Sequence, residues 1–221
     1  MDAAVGLVQA YLHVNGYFTV VEYPVLEAGR AGQVRTVTDL DILAYRFAGA
    51  GHNLVTSRAH RPLTRATFGV DPVLGCASDR PDMIVGEVKE GRARLNAPLR
   101  EPAVLEVALT RFGCCPPEYA PELTRQLLSR GHAKAPAGHA IRMVAFGDSD
   151  PQVRQGPWTT VPMGHVVQYL QQYLHQHWAV LRHTQVRDPA FAVLALLEKW
   201  GVQPGAGAHP GRTEEDSDGR V

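Results

Sequence analysis

Glu87 and Lys89 stand two positions apart in the apolar run Ile84-Val85-Gly86-Glu87-Val88-Lys89, and Asp39 and Asp41 stand two apart in Thr38-Asp39-Leu40-Asp41-Ile42-Leu43. A spacing of two puts side chains on one face of an extended strand. The first pair therefore sets a carboxylate beside an ammonium, and the second sets two carboxylates together, with Leu40, Ile42 and Ala44 on the other face. Aspartate is unfavourable in the middle of a strand, and an ionised carboxylate withdrawn from water needs a partner. A divalent cation is one such partner. If the two strands are neighbours, Asp41 and Glu87 can converge on a hard, oxygen-seeking ion with Lys89 beside it. Mg2+ suits so few ligands, because it is commonly held by one or two carboxylates and keeps several waters. Lysine is also uncommon in this chain, 3 residues against 19 arginines. A compact ammonium at 89 thus departs from a general preference for guanidinium, and the two are not interchangeable in chemistry. An acid-x-Lys match alone is weak, with ~0.3 expected by chance in a chain of this composition. The strand context carries the reading.

The elements that would position these groups can be read from periodicity. Residues 3–14 place Val5, Val8 and Leu12 on one helical face, and Asn15-Gly16 ends that helix. Residues 17–26 and 34–47 read as a strand pair joined by a glycine-containing turn, with Pro24 marking an edge or a bulge. Residues 48–80 form an irregular insertion, longer than an ordinary connection. A third strand spans 83–90, helices are expected at 101–112 and 120–130, and a fourth strand at 140–147. Beyond a Pro/Gly linker, helices near 163–182 and 188–200 follow. The expected organisation is a core over 1–150, a helical extension over 151–201 and a disordered tail over 202–221.

Composition narrows the classes. Twenty-two basic residues balance twenty-two acids, and 45% of the chain is apolar, which describes an ordinary globule and argues against coating nucleic acid by bulk charge. A local basic surface is still available: no acid falls between Asp41 and Asp71, while Arg46, Arg58, Arg61 and Arg65 do. No run of about 18 apolar residues is present and no signal peptide is expected, so the reading is no membrane partner and a cytoplasmic protein. Three cysteines, two of them adjacent at 114 and 115, make neither a disulfide framework nor a metal knuckle.

The order helix, strand, strand, strand, helix, strand, with "TDLDILAY" on the second strand and "MIVGEVKEG" on the third, resembles the PD-(D/E)XK or restriction-endonuclease-like nuclease superfamily. The likeness covers residues 3–147. It implies an α/β fold, an αβββαβ core whose mixed central sheet is flanked by helices, here followed by the C-terminal helical extension. It also implies a metal-dependent nuclease that hydrolyses phosphodiester bonds of nucleic acid, DNA rather than RNA being favoured, with Mg2+ or Mn2+ as cofactor. By that resemblance Asp41 and Glu87 bind the metal, the Val88 backbone carbonyl adds a ligand, and Lys89 orients or activates the attacking water. Asp39 is then an outer group or a second-metal ligand, and Glu22 or Glu27 could replace the acid that many members supply from the first helix. Arg58, Arg61, Arg65, Arg92 and Arg94 are the candidates for nucleic-acid contacts. The alternative is a nucleic-acid-binding or assembly module that keeps the fold without turnover. The apolar face of residues 163–200 offers a surface for a homodimer.

Arg80-Pro81-Asp82 supplies a literal Pro-Asp, but Asp82 is an odd number of residues from Glu87 and faces away from it in a regular strand; only a bulge would reverse this. Phe146-Gly147-Asp148-Ser149 looks like the opening block of GDSL-type hydrolases, yet no late Asp-x-x-His follows to complete a triad. Trp158, Trp178 and Trp200 are expected to pack the C-terminal helices.

Overall fold

The structure is a computed structural model that describes residues 2–28, 33–50, 53–55, 65–67, 70–149, 156–182 and 188–202. Helix α1 (Ala3–Val14) is capped by Asp2, whose carboxylate accepts the Ala4 N–H at 2.9 Å. Strands β1 (Phe18–Ala28) and β2 (Val34–Arg46) pair antiparallel, and β2 pairs antiparallel with β5 (Asp82–Arg92). Between them, within the expected insertion, β3 (Asn53–Val55) and β4 (Arg65–Thr67) form a separate two-stranded sheet. After β5 come α2 (Pro102–Arg111), α3 (Ala120–Arg130), β6 (His132–Lys134), β7 (Ala140–Asp148), β8 (Thr159–Pro162), α4 (Met163–Leu181) and α5 (Pro189–Lys199).

The main sheet has six strands in the order β1-β2-β5-β7-β6, with β8 also alongside β7. It is mixed: β7 runs parallel to β5 and to β8, and the remaining pairs are antiparallel. The parallel centre explains the apolar runs Met83–Gly86 in β5 and Met143–Gly147 in β7, since helices cover both of their faces. Ile84, Val88, Val144 and Phe146 enter one core with α1, α4 and α5. Met83, Val85, Met143 and Ala145 enter the other with α2 and α3. The chain is thus an α/β protein whose mixed sheet is flanked by helices. Helices α4 and α5 share the α1 core through Val166, Leu170, Leu174 and Phe191, so much of their apolar face is spent inside the chain. Among the described residues no helix is long and apolar enough to cross a membrane.

The short strands β6 and β8 were not expected from the sequence. His-Ala-Lys and Thr-Thr-Val-Pro are too short for periodicity to register, and both exist by pairing with β7. Gly131 permits the first: it caps α3 in the left-handed region at φ +75, and a Cβ there would lie 2.2 Å from the Pro157 carbonyl oxygen. Two of the three tryptophans also depart from expectation. Trp158 packs against the α2/α3 core, and Trp200 at the end of α5 is 68% exposed. The expected disordered tail lies outside the described residues apart from Val202.

Candidate functional site

Strand β5 is buried from Asp82 through Val88, then emerges through half-buried Lys89 to exposed Glu90. Glu87 sits at the end of that buried stretch and is 1% exposed. Alternation puts Lys89 on its face, and the Lys89 ammonium donates to Glu87 Oε1. The other oxygen, Oε2, has no hydrogen-bond partner among the described residues. Burial is the main reason the Glu87 carboxyl is pushed up to about 7; the Lys89 hydrogen bond opposes that rise and the charge of Asp41 adds to it.

Asp41 reaches the same place from β2. The pairing of Ile42 with Gly86 makes Asp41 and Glu87 the next residues opposite each other, and here a side chain replaces the main-chain bond. Asp41 Oδ2 accepts the Val88 N–H at 2.8 Å. Burial raises the Asp41 carboxyl, the Val88 N–H and Lys89 lower it, and Asp2 and Glu22 raise it further; the net direction is up.

Asp41 also marks a break in β2. Leu40 belongs to the α2/α3 core, whereas Ile42 and Ala44 belong to the α1 core, so the three do not share the face that strict alternation predicts. The partner strand breaks at the same level: Tyr23, opposite Leu40, and Val21, opposite Ile42, also go to opposite cores. Glu22 lies between them with φ 51, the sole non-glycine residue at positive φ among the described residues. A strained backbone of this kind persists only where its surroundings fix it. Its carboxylate accepts the Asp2 N–H at 3.2 Å, which ties α1 to this part of the sheet. Of the two alternatives raised from sequence, Glu22 therefore lies within electrostatic reach of Asp41, while Glu27 pairs with Arg35 farther out along the ribbon.

The structure thus brings together Asp41, Glu87, Val88 and Lys89. Asp39 is exposed opposite Pro24, where water solvates it and no ion is needed. Arg92 and Arg94 are exposed at and just beyond the end of β5. Arg58 and Arg61 lie outside the described residues, and Arg65 is described only as backbone of β4.

Asp82 belongs to a different assembly. Arg142 donates to it through Nε at 2.8 Å and Nη2 at 2.7 Å, and the Tyr17 hydroxyl donates to Oδ2 at 2.7 Å. Sequence reasoning missed a third buried carboxylate. Asp71 Oδ2 accepts the Tyr11 hydroxyl at 2.6 Å and lies 2.5 Å from His165 Nε2. Burial would raise Asp71, but Tyr11, His165 and the Val73 N–H outweigh it and hold its carboxyl below the ordinary value. No local pattern links residues 11, 71 and 165; they meet where α1 packs on α4 and where the segment before β5 returns, its Asp71 N–H donating to Asn15 Oδ1 at 2.8 Å.

Asp41, Glu87 and the Val88 carbonyl are an all-oxygen donor set, suited to a hard cation such as Mg2+. The unpartnered buried Oε2 of Glu87 and the mutual repulsion of the two carboxylates are what such a cation would relieve. Among the described residues, no group of three or more His, Cys, Asp and Glu side chains is placed to hold a metal. Compared with protein-family models, curated proteins and solved structures, the chain matches none.

Proposed function

We propose that this chain is a magnesium- or manganese-dependent nuclease of the restriction-endonuclease-like class, with nucleic acid, DNA above RNA, as its substrate. The observation that carries the reading is the buried Glu87, one oxygen on Lys89 and the other unpartnered, set across from Asp41 at the mouth of a central strand. The element order α1-β1-β2-β5-α2-β7, with β3 and β4 inserted before β5 and α3 and β6 before β7, supports the class.

Asp41 and Glu87 would hold the ion, with the Val88 carbonyl as a third oxygen. The chemistry it supplies when bound is a more acidic water and neutralisation of phosphate charge. Each residue then has a task that follows from its setting. The Val88 N–H fixes the Asp41 carboxylate, so one of its oxygens is oriented by the main chain. Glu87 tethers the Lys89 ammonium, which can meet negative charge developing on phosphoryl oxygens. Arg92 and Arg94, exposed beyond the strand, suit flanking phosphates.

A second reading, a binding module without turnover, is favoured by the lack of a third carboxylate or imidazole ligand among the described residues. Incubation with linear, single-stranded and branched DNA and with RNA, in magnesium or in EDTA, separates the two. Cleavage that needs the metal and falls on the order of 100-fold or more in Lys89→Ala is the expected result. Undiminished cleavage by Lys89→Ala sinks the site, and no cleavage of any substrate leaves the binding module. An independent readout is thermal unfolding without nucleic acid: Mg2+ should stabilise the native chain and leave Glu87→Gln unmoved.

A further inference from the structure

At the other end of β5 from Glu87, beyond Asp82, a cavity of about 300 Å3 opens between three chain segments. The strand rise puts Asp82 itself ~16 Å from Glu87. Arg80 comes from the turn before β5, Gln126 and Arg130 from the last turns of α3, and His132 and Lys134 from β6. The convergence follows from periodicity. Positions 126 and 130 share a helix face, and 132 and 134 share a strand face. Gly131, the left-handed cap between them, turns the chain so that both faces meet.

The lining carries three guanidinium or ammonium groups and an imidazole, and no carboxylate. Arg80 lies 3.5 Å from Asp79, in a pair exposed to solvent on both sides. Gln126 donates to Glu122 at 2.7 Å, and His132 Nδ1 is 3.0 Å from the Arg130 carbonyl oxygen. Among the described residues, neither Arg130 nor Lys134 has a carboxylate partner. Basic and acidic residues number 22 each over the whole chain, so this concentration of one sign is local. The negative end of α3 accounts for a cation at Arg130, but not for Arg80 and Lys134, which come from other elements.

We propose that this cavity binds a phosphate group, either of a free polyphosphate or of a nucleic-acid backbone. Guanidinium forks match the phosphate oxygens, and the Lys134 ammonium adds a mobile point charge. Binding here needs no turnover, and the site is separate from Asp41, Glu87 and Lys89.

The test is calorimetric titration of the full chain in EDTA at low salt, with inorganic pyrophosphate in one arm and a short DNA duplex in the other. Native chain, Lys89→Ala and the double variant Arg130→Gln/Lys134→Gln are compared. Both substituted side chains of the double variant are exposed, and matching thermal melts verify its fold. The expected result is saturable binding that weakens about tenfold or more in the double variant and persists in Lys89→Ala. Loss in the pyrophosphate arm identifies a free polyphosphate site; loss confined to the duplex arm identifies a backbone contact. No saturable binding in either arm, or equal binding by the double variant in both, overturns the proposal. A loss caused by Lys89→Ala alone assigns the phosphate to the other end of β5 and overturns it equally. Because metal is absent throughout, the result is the same whether or not the chain cleaves nucleic acid.

Discussion

Asp82 and Glu87 lie five residues apart on the same strand, each 1% exposed, and their burial is compensated in opposite ways. Asp82 faces a guanidinium that donates to both of its oxygens, with a tyrosine hydroxyl as a third donor. That guanidinium is in turn fixed through Nη1 on the Leu74 carbonyl. Burial would lower Arg142, but Asp82 outweighs it and keeps it charged. Glu87 has one long, half-exposed ammonium on one oxygen and, among the described residues, no partner on the other. The first arrangement is closed and joins β5 to β7. The second leaves a carboxylate short of donors and raised toward neutrality, which is how a group able to take up a cation or a proton differs from a structural one.

The largest test of this contrast removes the closed pair. Asp82→Ala leaves Arg142 buried without its counter-charge and should cost ~3–5 kcal/mol in urea unfolding. Glu87→Gln, which removes an ill-compensated charge of the same burial, should leave stability equal or higher at pH 8. Equal losses in the two variants would break the comparison.

The next test is pH. Glu87 is raised in the folded chain from 4.5 to about 7, so the folded state holds a proton that the unfolded state releases. Stability therefore falls as pH rises through the window between those values, by up to ~3 kcal/mol. Glu87→Gln should flatten this slope, and an unchanged slope would assign it to another group.

Smaller effects sharpen the difference. A Cβ on Gly86 would lie 3.2 Å from Ile42 Cβ and 3.3 Å from the Phe146 ring. Gly86→Ala should thus cost ~1 kcal/mol and displace Glu87 more than Asp82, lowering cleavage beyond what the melt predicts. The smallest change belongs to Asp39→Asn, exposed and outside the cluster, for which melting temperature and cleavage should both match the native chain; a loss of cleavage would return Asp39 to the site.

The pairing of Glu87 with Lys89 was legible in the sequence because a two-residue spacing has one meaning in a regular strand. The exclusion of Asp82 followed from the same parity, and β5 has no bulge between Asp82 and Val88 to reverse it. The strand breaks at Asp41 and Glu22 were not legible. Alternation assumes an unbroken strand, and a glutamate at positive φ carries no local signature. Strands β6 and β8 were missed because their pairing, not their composition, defines them. The ring of Tyr11, Asp71 and His165 was hidden by sequence separation, since nothing in a linear pattern announces that α4 returns to α1.

The outer edge of β7 bears on a different property. Lys134 to His132 pair with Ala140 to Arg142, and Thr159 to Pro162 pair with Val144 to Gly147, so two short strands divide one edge between them. An apolar strand with its main-chain groups open along that length would be a template for another chain to add to. Two pieces of three and four residues, the first carrying lysine and histidine and the second ending in proline, make a poor continuation for a fibril. Cover for this one edge therefore rests on two segments that each place a single buried side chain in a core, Ala133 on one face and Val161 on the other.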